Sequence, residues 1–329
     1  MFNTKISAAI LALLSGSVCL AVLAGDARVD AAPRSAPRQT AQAPGVHPQP
    51  SHIAGGRTHA LLARPELQRR PLFLPAPQSS SAACGAPVTD HPLASGNGPL
   101  IDNVQLYNVG WGPVQNGPAL NQFASWLASS WYVANLGREY STRQGRIGAG
   151  RFVRALAAPG RPGDVVRDSD IRSEIEWLIL HGQLPTGGPD NAFFFYLPPH
   201  VTAMMSDGTP SCHPGSGRCF CAYHGWYPGT NGQPRFYAVM PDLAGAPGWC
   251  GGPGDDLGDR TVAASHELAE MITDPSGISW VTRGGNEIGD VCNGSDGSGR
   301  INRFRTAATR NFWVQCEFSN RQNGCVDNL

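Results

Sequence analysis

The chain has 329 residues, with 25 basic and 25 acidic side chains and a formal net charge of +0. That balance excludes a general nucleic-acid binder and a strongly charged tail. A hydrophobic content of 41% is enough to fill a substantial core in a chain of this length.

At the start, Lys5 precedes an apolar run, Ile6–Leu23, interrupted by Ser7, Ser15, Gly16 and Ser17, and Ala24 follows at a small-residue cleavage position. This layout predicts a secretory signal peptide over residues 1–24, too broken for a membrane span. No later segment is apolar enough to cross a bilayer. The expected destination is extracellular or periplasmic. Export changes how the cysteines read. Cys19 leaves with the signal peptide, and Cys84, Cys212, Cys219, Cys221, Cys250, Cys292, Cys316 and Cys325 remain. An even count in an oxidising compartment favours disulfides over thiolate metal ligands, without choosing the pairing.

Residues 25–83 are dominated by Ala, Pro, Arg, Gln and Ser. Their apolar periodicity is too weak to offset the entropy of ordering them, which predicts a disordered linker or a propeptide. From Cys84 to Leu329 the composition is that of one folded domain.

Within that domain, residues 103–111 read as a first strand. Leu120, Phe123, Leu127 and Trp131 recur at helical spacing, predicting one amphipathic helix over 119–137 that ends at Gly137. A second helix is expected over 169–182, with Ser169 as N-cap and Gly182 past its end. The short apolar runs 192–198 and 235–241 are bounded by proline and predict buried strands. Between them lies a Gly-, Cys- and His-rich stretch expected to be loop. A helix follows over 260–273, capped by Asp259 and stopped by Asp274-Pro275. Residues 312–318 predict a final strand. Helices and strands mix without a regular β-α repeat, so the expected class is α+β with a mixed sheet, stapled by disulfides.

The third helix carries the sequence His266-Glu267-Leu268-Ala269-Glu270. His266 and Glu270 are four residues apart, so their side chains lie one above the other on one face. Two donors so placed can grip one ion, with Glu267 offset by about a third of a turn. This stretch resembles the H-E-x-x-H helix of zinc peptidases, with glutamate in place of the second histidine. In those enzymes the glutamate after the first histidine is the general base, and the metal makes a bound water acidic enough to attack a carbonyl. Thermolysin-type peptidases add T-D after the helix, then N-E and an aspartate. Thr273-Asp274, Asn286-Glu287 and Asp290 stand here in matching order, with Asp290 three rather than four residues after Glu287. That resemblance implies His266, Glu270 and Glu287 as metal ligands, Asp290 as a support for His266, and Glu267 as the catalytic base. Zinc is the metal it implies. The extra carboxylate makes the set richer in oxygen and admits calcium or manganese. A plain helix contact is the alternative, because a His–Glu pair at this spacing is worth a few tenths of a kcal/mol by itself.

His224 lies among aromatic residues in Cys219–Gly229. Zinc-peptidase folds place an edge strand just before the active-site helix, and by that likeness His224 either polarises a substrate carbonyl or serves as an alternative ligand. The competing reading is a loop histidine packed on Trp226 and Tyr227. His181, His200 and His213 read as structural or solvated. Residues 290–299 lack the acidic spacing of a calcium loop and read as a turn.

Taken together, the segments at 103–112, 220–229, 261–275, 286–293 and 312–325 are similar, in content and order, to the Exordium/phosphate-induced protein family. These are secreted plant proteins with bacterial relatives. The similarity spans most of residues 100–329 and implies that H-E-x-x-E is the family's form of the motif. Two functions follow as expectations: a zinc-dependent peptidase with a zincin-like domain acting on a peptide or protein substrate, or a non-enzymatic extracellular binding or growth-related protein that retains the fold.

Overall fold

The computed structural model describes residues 59–63, 84, 92–214, 216, 219–247, 250, 255–292, 301–305 and 311–326, with the backbone alone at 59–63, 301–305 and 311. The expected signal peptide lies outside these residues, as does most of 25–83.

The elements in chain order are β1 (His59–Ala63), β2 (Ala94–Ser95), β3 (Gln105–Gly110), α1 (Gly117–Ser129), α2 (Trp131–Tyr140), β4 (Arg151–Ala157), β5 (Val165–Arg167), α3 (Asp168–Leu180) and β6 (Asn191–Tyr196). Then come β7 (Thr202–Met204), β8 (Cys219–Pro228), β9 (Pro234–Met240), α4 (Asp256–Thr273), β10 (Trp280–Val281), β11 (Ile301–Arg305), β12 (Asn311–Gln315), β13 (Glu317–Ser319) and β14 (Gly324–Val326). Six strands form the main sheet in the order β1-β8-β9-β6-β3-β4. Strands β9, β6, β3 and β4 run parallel, whereas β8 and β1 are antiparallel additions at one side. The architecture is mixed α+β around a mixed sheet.

Both faces of the sheet are covered, which explains the unbroken apolar run of β6. Ala192, Phe194 and Tyr196 point into a core shared with α1, α2 and α4, while Phe193 and Phe195 meet Ile171, Ile175 and Leu178 of α3. Alternate residues of one strand therefore serve two cores, as in parallel strands buried on both sides.

Several expected boundaries move, each for a local reason. The helix expected over 119–137 is two helices. Ser130 is extended, at φ −77 and ψ 164, and its hydroxyl donates to the Leu127 carbonyl at 2.8 Å, closing α1. The second helix runs through Gly137 to Tyr140. Glycine there answers to packing, since a methyl group at 137 would overlap the Ile147 carbonyl oxygen. For α3 the cap position is Arg167, not Ser169. The Asp170 carboxylate accepts the Arg167 N–H at 2.8 Å and so satisfies a free amide at the helix start. Helix α4 starts a turn before the expected Arg260, because Asp255 accepts the Gly258 N–H at 2.7 Å and takes the capping role assigned to Asp259. The final strand divides at Cys316 into β12 and β13.

Four disulfides staple the domain: Cys84–Cys316, Cys212–Cys219, Cys221–Cys250 and Cys292–Cys325. Cys212, Cys221 and Cys250 lie close enough together to suggest a metal site, but their sulfurs are committed to two neighbouring disulfides. Five residues of the segment expected to be linker or propeptide form β1, which pairs with β8. Among the described residues no helix is long and apolar enough to cross a membrane.

Candidate metal centre

Helix α4 is held between the sheet and a second layer of chain. Its residues are buried all round except Leu257, and it packs on β8 and β9 on one side and on α1, α2 and β12 on others. A helix enclosed this way needs no polar face. Its first turns are anchored by Arg260, which reaches Asp242 Oδ2 at 2.6 Å and Asp256 Oδ1 at 2.9 Å. The same guanidinium donates to the Leu197 carbonyl at 3.2 Å. These contacts tie α4 to the chain leaving β6 and β9, and so fix where the H-E-x-x-E turn falls beneath β8.

His224 belongs to β8, a regular strand, and not to a loop. Its side chain is 2% exposed and faces α4. Nδ1 lies 2.9 Å from Glu267 Oε2 and 3.5 Å from Glu270 Oε2, and Nε2 lies 3.6 Å from Glu287 Oε1. One imidazole thus stands among three carboxylates. On α4 itself, His266 Nε2 lies 3.1 Å from Glu270 Oε2, the stacked pair that helical spacing requires.

Glu287 and Asp290 arrive on a turn that folds back over the helix. The Asp290 N–H donates to Glu270 Oε1 at 3.0 Å, and the Glu287 N–H to Asp290 Oδ2 at 3.4 Å. Two constraints press this turn onto α4. Cys292 is bonded to Cys325, and Gln315 Nε2 donates to the Gly289 carbonyl at 2.7 Å while its own N–H donates to Ser265 Oγ at 2.9 Å. Gly289 sits so close that a methyl group would overlap His266 Nδ1 and come within 3.0 Å of Glu270 Oε1.

All six residues singled out from the sequence therefore meet in one place. They form two overlapping sets whose donor atoms lie within 4.8 Å of one another: His224, Glu267 and Glu270, and His266, Glu270 and Asp290. Glu270 belongs to both. Glu287 stands against His224. The turn carrying Glu287 and Asp290 thus presents one carboxylate towards each histidine.

The electrostatics of the cluster are those of acids withheld from water. Glu267, Glu270, Glu287 and Glu317 are fully buried, and burial first, then mutual repulsion with neighbouring carboxylates, pushes Glu267 and Glu287 well above the ordinary carboxylate range. For Glu267 the nearby His266 opposes the shift. Burial pulls His266 down, but the Glu270 carboxylate beside it, with Glu267 and Asp290, outweighs burial and holds it up at about 10. Glu267 Oε1 and His266 Nδ1 have no hydrogen-bond partner among the described residues. Buried polar atoms are ordinarily satisfied, so these two atoms are the ones a bound ion or water would satisfy.

Glu317, Tyr132 and Gln315 also belong to the surroundings, and none of the three is singled out by the sequence. Glu317 is fully buried and accepts a hydrogen bond from the Tyr132 hydroxyl at 2.6 Å, and burial raises its pKa too. Gln315 positions the acidic turn. The available signal was an acid within the largely apolar run 312–318, since a charge inside a buried strand needs a partner.

The donor set, two imidazoles and several carboxylates with no free thiolate, suits a borderline or hard divalent ion better than a soft one. No family model, curated protein or solved structure matches the chain.

Proposed function

We propose that this protein is a secreted, zincin-like metal-dependent peptidase built on the H-E-x-x-E helix. The observation that carries the reading is the convergence of His266, Glu267 and Glu270 from α4, His224 from β8 and the 287–290 turn around unsatisfied buried atoms. A resident zinc ion would be held by His266 and Glu270, with a carboxylate of the 287–290 turn completing the set; manganese and calcium are the competing ions. When bound, the ion supplies Lewis acidity that makes a coordinated water reactive near neutral pH. Glu267 would be the base that accepts a water proton, and its carboxylate is held in place by His224 Nδ1 at 2.9 Å. His224 would polarise the reacting carbonyl by hydrogen bonding, without giving up a proton, and so stabilise developing negative charge there. Asp290 keeps Glu270 and His266 in register through its backbone amide and its carboxylate. The disulfides and the N-terminal apolar run support secretion, and the motifs at 103–325 support kinship with the Exordium/phosphate-induced protein family.

The complete burial of His266, Glu267, Glu270 and Glu287 favours a second reading, an extracellular binding protein that keeps the fold and the ion without hydrolysis. Metal analysis and turnover of the Glu267→Gln variant separate the two. The peptidase reading expects metal content to be retained and peptide hydrolysis lost; equal hydrolysis by both proteins, or none by either at full metal loading, would overturn it.

A further inference from the structure

Strand β1 comes from the Pro/Ala-rich segment that precedes Cys84, yet it lies in the main sheet. It runs antiparallel to β8, with His59 opposite His224, Ala60 opposite Tyr223, Leu61 opposite Ala222, Leu62 opposite Phe220 and Ala63 opposite Cys219. The sheet order is β1-β8-β9, so β8 is the edge strand once β1 is set aside. An uncovered edge offers a row of backbone donors and acceptors that pairs with any extended chain. This edge leads directly to the metal-binding cluster. The residue of β8 facing the start of β1 is His224, whose ring contacts Glu267, and α4 itself approaches β1.

We infer that the β8 edge is a docking groove for an extended, apolar polypeptide segment, and that in the full chain residues 59–63 occupy it in cis as a built-in competitor. The seated sequence, His59-Ala60-Leu61-Leu62-Ala63, defines the class of segment the groove takes: small and aliphatic residues, with the peptide antiparallel to β8 and passing His224. The burial of His224, Glu267 and Glu270 in the full chain accords with an edge already filled. The inference rests on the proposed peptidase reading only for what happens to the docked segment. Displacement is compatible with an intact domain, because Cys84, bonded to Cys316, fixes the chain after residue 83 independently of β1.

The test uses the full chain with β1 disabled by A60P/L61P. Successive residues of an antiparallel strand alternate in donating to the partner, so one of the two prolines removes a ladder hydrogen bond whichever way the alternation falls. A fluorescently labelled synthetic peptide of residues 57–65 is titrated into wild type and variant, and anisotropy is recorded. Saturable binding to the variant, at least tenfold tighter than to wild type, is the expected result. Equal affinity for both proteins, or no binding to either, overturns the inference. A second form guards against misfolding of the variant. Residues 76–82 are replaced by a site-specific protease recognition sequence, and the same titration is run after cleavage and removal of the released fragment. Turnover of a quenched peptide by metal-loaded protein is read alongside. Binding in trans without turnover keeps the docking groove and removes the peptidase reading. Turnover by wild type equal to that of the freed forms removes the cis competition.

Discussion

His224 Nδ1 and Glu267 Oε2 are 2.9 Å apart, a hydrogen bond that joins β8 to α4 across 43 residues of chain with both side chains out of reach of water. Such a bond cannot be replaced by solvent when one partner is removed, so its loss leaves the other partner buried and unsatisfied. It therefore both stabilises the packing of α4 on the sheet and sets the direction of the Glu267 carboxylate.

Replacing His224 with Phe should destabilise the metal-free protein by about 1–3 kcal/mol, the usual cost of a stranded buried polar group. Adding Glu267→Gln to that variant should recover part of the loss, because a neutral amide is easier to bury than a carboxylate. Urea unfolding of the two single variants and the double variant measures the coupling. Strictly additive effects would show that the contact has no energetic consequence.

Metal binding should raise thermal stability. An ion at a hundredfold excess over its Kd contributes about 2.7 kcal/mol, which for a domain of this size corresponds to roughly 5–10 °C in Tm. His266→Ala and Glu270→Gln should lose both the bound ion and the chelator-sensitive shift. Elemental analysis of tag-free protein beside scanning calorimetry checks this; an unchanged Tm in chelator, with no metal recovered, would make α4 a purely structural helix.

The stability of metal-free protein should fall as the pH rises. Folded-state pKa values of Glu267, Glu287 and Glu317 lie above their unfolded values, chiefly through burial. Their contribution is present at low pH and lost above about 4.5, as the unfolded chain ionises more readily. His266 is also raised, to about 10, by Glu270 against the pull of burial. Its contribution is full below about 6.5 and declines between there and about 10. Both signs agree, so chelator-treated protein should unfold at lower urea at pH 8 than at pH 5.5. Saturating zinc should flatten the difference, since the ion replaces protons on these groups. A metal-free protein more stable at pH 8 would contradict the arrangement.

Gly289→Ala should damage the site more than the rest of the fold. The added methyl meets His266 Nδ1 and Glu270 Oε1, and overpacking of this kind costs about 1–3 kcal/mol. The expected result is a clear loss of metal affinity with secondary structure intact by circular dichroism. Wild-type metal content in this variant would mean that the 287–290 turn can retreat from α4 freely.

Gly137→Ala tests a position outside the cluster. Its methyl would overlap the Ile147 carbonyl oxygen, so the usual gain of about 0.5–1 kcal/mol for replacing glycine with alanine in a helix should reverse sign. A more stable variant in thermal denaturation would show that the chain at Ile147 can move aside.

What the sequence determined by itself was chemical and local. The apolar spacing of Leu120, Phe123 and Leu127, the proline-bounded strands around Phe194 and Tyr237, and the stacking of His266 on Glu270 all follow from helix and strand periods, which depend on near neighbours alone. Tertiary structure decided the rest. Ser130 breaks a helix whose apolar pattern continues through it, and Gly137 continues one it was expected to end, because contacts with distant backbone outweigh local propensity. His224 sits in a stretch rich in glycine and cysteine that reads as loop, yet pairing with β9 and β1 makes it strand, and strand alternation turns its ring towards α4. The disulfide pairing and the meeting of His224, Glu270, Glu287 and Asp290 required the sheet order. His224 and Glu267, 43 positions apart, carry no mark in the chain of lying within hydrogen-bond distance. Only the packing of α4 between β8 and β12 brings their donors to one point.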